Sequence, residues 1–247
     1  MGSRVDGPGG ICRETLAEQV AAALMRSIVS EGLRPGDPLP SEMGLSNRYH
    51  ISRSVAREAL RHLAALRMVQ LTNGKVPVVR PVTGELLSIH FDWALQLRAG
   101  TFVELQELRR GVEGTCAYHA AERRTRDDMA ELAGVISRME AEEDPEAFVD
   151  LDIALHVAVA RASHNRLLQQ TVESMAHALG GFVRAGIDSM ERTPHADPPL
   201  VRLRRGHRRI VEPILAGESE PARARMDEHL RSAVATYVAA GTLETNG

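Results

Sequence analysis

Apolar positions along most of this chain recur every three to four residues, the spacing of a helix with one buried face. Leu16, Val20, Ala23, Leu24 and Ile28 fall in register and predict a first helix. Ser41 can cap a short helix over about Glu42 to Tyr49; His50-Ile51 then make a tight turn, and Ser52 can cap another helix over about Arg53 to Leu66. In that last helix Val55, Ala59, Leu60 and Leu63 form the predicted buried stripe, which leaves Arg53, Ser54 and Arg57 on the open face of its first turn and a half. The pattern then changes. Met68–Leu71 and Val76–Val82 are β-prone, and Asn73-Gly74 between them is a strong hairpin signal, with Lys75 at the tip. Three helices and a hairpin with a basic tip predict a winged helix-turn-helix over residues 15–82.

From Gly84 onward no alternation of period two is found, and helical segments follow one another. They run over about Glu85–Arg98, Phe102–Arg124, Arg126–Glu143, Pro145–Ser163, Arg166–Ser189, Leu200–Ala216 and Glu220–Ala240. Suitable punctuation lies between them: Thr125 before Asp127-Asp128, Asp144-Pro145, Asn165, Gly217, and Ser219-Glu220-Pro221. Thr193 to Pro199 is the one long polar gap, and Pro213 should kink its helix or remove a hydrogen bond. The fold class is therefore mainly α: a winged helix-turn-helix, then an antiparallel bundle of six or seven helices.

Length and charge refine this division. A chain of 247 residues can bury two cores, which are aliphatic because aromatics make up only 3%. We divide it into a disordered, Gly-rich tail (1–14), the winged helix-turn-helix (15–82), a linker or first bundle helix (83–100) and a helical domain (101–247). The net charge of −3 is unevenly spread. Residues 15–82 hold nine Lys/Arg and five Asp/Glu, or +4, whereas residues 83–247 hold nineteen and twenty-six, or −7. A basic head on an acidic body suits a protein that touches DNA with one end. Cys12 and Cys116 show neither metal spacing nor a disulfide framework, which points to a reducing, cytoplasmic home. No apolar run approaches a membrane span.

Two groups of residues carry candidate chemistry. A helix N-terminus bearing Ser52, Arg53, Ser54 and Arg57 suits a DNA major groove, where backbone N–H groups meet phosphate and guanidinium forks reach guanine. Exposed arginine alone is ordinary, and only the neighbouring helices and hairpin lift this reading above a solvated surface helix. In the bundle, Asp152 and His156 lie at i and i+4 on one helix face. His207 lies ten residues before Gly217 and His229 twelve after it, so the two come level across a helical hairpin. Any single histidine is more often a core or surface residue than a ligand, and His119, His164, His177 and His195 show no such arrangement.

These residues resemble two family patterns. Gly32-Leu33, Pro35-Gly36, Leu39-Pro40-Ser41-Glu42, Ser52-Arg53, Arg57-Glu58-Ala59-Leu60 and Leu63 resemble the GntR family of bacterial transcription regulators. Met43 departs from that pattern, where relatives often carry a base-reading arginine, and Val76-Pro77 replaces the usual small residues of the wing. Asp152-x-x-x-His156, His207 in HRRIVEPILAGE and His229 in ARMDEHL resemble the FCD ligand-binding domain of FadR-type members. The stretch Glu107 to Glu113 and Ala162-Ser163-His164-Asn165 match the same domain. The resemblance implies a divalent metal on Asp152, His156, His207 and His229, with zinc ahead of nickel or manganese. A metal with Arg109 beside it makes a positive pocket suited to a carboxylate, which predicts a small hydroxy or sugar acid as effector, bound at the metal with Arg109 and Asn165; a structural ion pair is the alternative for Arg109, and Arg110 is then the alternative arginine. DNA contacts then fall to Ser52, Arg53, Ser54, Arg57 and Lys75, on a palindromic operator read by a homodimer. A metalloenzyme on a helical bundle and a regulator with a purely structural metal are the alternatives.

Overall fold

A computed structural model of the chain describes residues 14–97, 100–192 and 197–239. The tail reading up to residue 13 (Cys12 included), the predicted helix end at Arg98, residues 193–196 of the polar gap (His195 among them) and Ala240 lie outside the described residues. The chain divides between Thr83 and Gly84 into two compact units.

The first unit holds α1 (Leu16–Ser30), α2 (Glu42–Tyr49) and α3 (Arg53–Ala65), then a small sheet of β1 (Val69–Gln70) and β2 (Val78–Val79). Thr15 opens α1 with a capping box closed by Glu18, while Ser41 and Ser52 cap α2 and α3 through their hydroxyls. His50 ends α2 in the left-handed region, at φ 52° and ψ 46°, and this turns the chain sharply into α3. Val20, Leu24, Leu45, Leu60, Leu63 and Val69 make the core. Some predicted core positions differ, Ala23 and Ile28 being only half-buried. Leu16 is exposed at the helix start, and its place is taken by Ala17 and Ala21; Val55 is only half-buried, while Ala56 is fully buried.

The wing is also shorter than predicted. Its strands pair antiparallel as Val69↔Val79 and Gln70↔Val78, and Asn73-Gly74 sits in a separate turn where Lys75 N donates to Thr72 O at 3.0 Å. Pro77 has no N–H to extend the ladder toward that turn. The other edge of β2 is taken by the loop before α2. Gly36 N donates to Val79 O (2.8 Å), Val79 N to Asp37 O (3.0 Å) and Leu39 N to Pro77 O (2.8 Å). The Pro-Gly-Asp-Pro loop is thereby tied to the wing.

The second unit is the helical bundle: α4 (Glu85–Gln96), α5 (Phe102–Arg123), α6 (Arg126–Ala141), α7 (Pro145–Ala162), α8 (Arg166–Arg192), α9 (Pro199–Ala216) and α10 (Ser219–Ala239). Thr101 and Thr125 form capping boxes, Asp144 caps α7, and Pro145 stands at its first turn. α5 is the central helix and packs on α7, α8, α9 and α10. Its small buried residues Gly114, Ala117, Ala120 and Ala121 admit these neighbours closely. Phe148, Leu132, Met139, Leu155, Met175, Ile210, Ile214 and Leu230 fill the interior. Pro213 is accommodated inside α9, whose end is closed by Gly217 at φ 84°. Among the described residues no helix is long and apolar enough to cross a membrane.

Candidate metal centre and DNA-binding face

Asp144-Pro145 sets the start of α7, and the helical period then turns Asp152, Leu155, His156 and Val159 together into the bundle. The α9–α10 hairpin supplies the opposite wall. Gly217 N donates to Ile214 O (3.1 Å) and Glu218 N to Pro213 O (2.9 Å), a close that only a left-handed residue at 217 permits. This turn brings the His207 and His229 rings to 4.5 Å between centroids. The His156 ring lies 5.9 Å from His207 and 5.3 Å from His229. One candidate ligand atom from each of Asp152, His156, His207 and His229 lies within 4.8 Å of the other three. His207 is completely buried, His156 and Asp152 are buried, and His229 is half-buried.

Hydrogen bonds do not account for this cluster. Nε2 of His156 and both ring nitrogens of His207 are buried without a hydrogen-bond partner. His207 Nε2 is 2.8 Å from Asp152 Oδ1, an ion-pair distance, yet the hydrogen-bond angle is missing. Buried ring nitrogens left without partners carry a desolvation cost, and lone pairs that converge without meeting are what a shared cation requires. One carboxylate and three imidazoles form a donor set suited to zinc, nickel or manganese. The charges point the same way. Burial, and then the neighbouring imidazoles of His207 and His156, push the His229 pKa well below its ordinary value, so its lone pair is available. Burial alone would raise the Asp152 carboxyl, but His207, His156 and His229 outweigh it and hold the group ionised, well below the usual carboxylate range.

A further carboxylate, Glu113 on α5, was not a candidate from the sequence. It is buried and hydrogen-bonded to His156 Nδ1. Arg109 Nε lies 2.5 Å from its other oxygen, and Arg109 Nη1 donates to Gln106 at 3.2 Å. Burial would raise the Glu113 pKa, and Arg109 and His156 reverse this and lower it to about 2. The available sequence signals were the i,i+4 spacing of Arg109 and Glu113 and the place of Glu113 at the end of the matched Glu107–Glu113 stretch. A small cavity beside the cluster is lined by Arg109, Glu113, Asp152, His156 and the aliphatic side chains of α7 and α8.

Other site candidates lie elsewhere. Asn165 does not line that cavity. Its Oδ1 accepts from Leu167 N (3.1 Å) and Leu168 N (3.2 Å), so it caps α8, as the sequence allows. Arg110 points away from the cluster, pairing with Asp227 at 2.7 Å.

In the first unit, Ser52, Arg53, Ser54 and Arg57 stand together at the exposed start of α3, and Lys75 is exposed in the wing turn. Ser52 Oγ accepts from Val55 N (3.3 Å) and lies 2.8 Å from Ser54 Oγ. Arg53 Nη2 is 3.3 Å from Met43 Sδ. Arg57 is not free on this face, as the helical pattern suggested: it forks onto both oxygens of Glu42 at 2.9 Å.

Comparison with known proteins agrees with this two-part organisation. Residues 16–79 match the bacterial regulatory proteins of the gntR family, and residues 104–232 match the FCD domain. The chain is 30% identical over 204 residues to the HTH-type transcriptional regulator LutR of Bacillus subtilis (strain 168), covering 80% of this chain and 90% of that one. It is 32% identical over 158 residues to the galactonate operon transcriptional repressor of Escherichia coli (strain K12), covering 62% and 69%. A solved structure of Streptococcus agalactiae GntR shares the fold, with a TM-score of 0.62 at 22% identity, over 88% of this chain and 98% of that one.

Proposed function

Because the chain belongs to the gntR family of regulators that carry an FCD domain, and is thus a DNA-binding transcription regulator and not an enzyme, we propose that a small hydroxy or sugar acid, held at a divalent metal in the helical unit, sets its affinity for operator DNA. The observation that carries this reading is the convergence of Asp152, His156, His207 and His229 with buried, unpartnered ring nitrogens. Four protein ligands leave room in a five- or six-coordinate shell for oxygens of a small molecule. A cation held there supplies a Lewis-acidic centre that favours carboxylate and hydroxyl oxygens. Arg109, paired with Glu113, stands on the wall of the small cavity beside the cluster, which has to widen to admit such an acid. The name of the galactonate repressor, a relative at 32% identity, supports a sugar acid within this class. Zinc is the preferred ion, and the cytoplasm the compartment.

The same reading assigns DNA contacts to Ser52, Arg53, Ser54, Arg57 and Lys75, and gives the protein a two-fold homodimer that reads a palindromic operator. Only a difference in the acid's affinity for two conformations can shift operator binding. The test is fluorescence anisotropy of an operator fragment selected from random DNA, with zinc-loaded protein and a titration of galactonate and shorter hydroxy acids. At least one acid should change operator affinity by about five-fold or more. If every acid leaves the affinity unchanged while the metal stays bound, the ion is purely structural.

A further inference from the structure

Resting on that metal-site reading, we propose that Glu113 is a positioning residue that fixes the His156 ring so that its Nε2 faces the cluster, and that Arg109 serves first to hold Glu113. The geometry carries the argument. Glu113 reaches His156 from a different helix, α5 against α7, and bonds Nδ1. An ionised carboxylate only accepts hydrogen bonds, so Nδ1 carries the proton and the lone pair lies on Nε2. Nε2 is the buried atom without a hydrogen-bond partner, and it belongs to the residue whose ligand atom joins those of Asp152, His207 and His229.

Arg109 completes the relay. Its Nε binds the second oxygen of Glu113, one helical turn away on α5, and its Nη1 is held by Gln106. The carboxylate is therefore gripped from both sides, by an imidazole N–H and a guanidinium N–H. Both Glu113 and Arg109 are almost completely buried, with side-chain exposures of 2% and 5%, so solvent does not compete for either. Such partners of a metal-ligating histidine set ring orientation and ligand basicity, and removing them typically costs ten- to a hundred-fold in metal affinity. The guanidinium that the sequence pattern offers to an effector is thus committed, through two of its nitrogens, to the scaffold.

Glu113→Gln keeps the side-chain shape, removes the charge and allows the amide to present N–H to Nδ1. Zinc affinity is measured by competition with a chromogenic chelator, and the His156 tautomer by nitrogen-15 NMR of histidine-labelled, zinc-loaded protein. The proposal expects a ten- to hundred-fold loss of zinc affinity and loss of the Nδ1-protonated signature of His156, with the helix content by circular dichroism retained. If Glu113→Gln unfolds the bundle, the pair Arg109→Met/Glu113→Gln removes both buried charges and is read in the same way. Wild-type zinc affinity and an unchanged His156 signature in the folded variant overturn the proposal. A wild-type protein that binds no metal would instead overturn the metal-site reading itself, a result distinct from loss confined to the variant.

Discussion

Arg57 donates through Nε and Nη2 to the two oxygens of Glu42, a fork that bridges the starts of α2 and α3. Arg57 is exposed and Glu42 half-buried, so solvent reaches the pair, which is screened and readily exchanged for a phosphate or a base edge. Arg57→Ala should therefore leave the fold intact and weaken operator binding. It should also lower the slope of log affinity against log salt by about one, if the residue meets a phosphate. Salt-titrated anisotropy checks this, and an unchanged slope and affinity would remove Arg57 from the DNA contacts. Single residues are where the sequence was least complete. Helical spacing places Arg57 on an open face but says nothing of a Glu fifteen positions earlier. Spacing likewise brings Arg109 and Glu113 together, yet the third member of that chain, His156, comes from another helix.

Helix existence and most boundaries were legible, because caps and apolar periods agree at each break. Thr125 with Asp128, Asp144 with Pro145 and Gly217 fall where local chemistry alone places them. The wing was read less well. Its β-prone runs extend far beyond the two-residue strands, because Pro77 interrupts one strand and the Gly36–Leu39 loop competes for the other edge of Val79. Long-range pairing of that kind leaves no periodic trace. One element contact gives a clear test. Gly84 leads into α4, and its carbonyl accepts from Ser174 Oγ on α8 at 2.9 Å. A Cβ at Gly84 would lie 1.9 Å from Ser174 Oγ and 2.5 Å from the Gln170 carbonyl, and the second of these is backbone that cannot swing aside. Gly84→Ala should loosen α4 from α8 and cost roughly 1–3 kcal/mol, lowering the melting temperature by several degrees. A melting temperature unchanged in calorimetry would mean that the α4–α8 contact does not contribute to stability.

On the scale of the whole molecule, the charge division between a basic first unit and an acidic second one matches a division of labour. The first presents arginines and a lysine; the second encloses a few polar residues, Asp152, His156 and His207 among them. The four cluster residues could be suspected from their order along the chain, since i,i+4 spacing and a helical hairpin bring them into pairs. What joins the two pairs is the packing of α5 against both α7 and the α9–α10 hairpin, which no local pattern encodes. The most direct measurement is the metal content of purified wild-type and His156→Ala protein by elemental analysis, with circular dichroism to confirm the fold. The account predicts about one divalent ion per wild-type chain, by the four-ligand arithmetic of such sites, and loss of most of it in the variant. A metal-free wild type, or a folded variant that keeps the full complement, would contradict it.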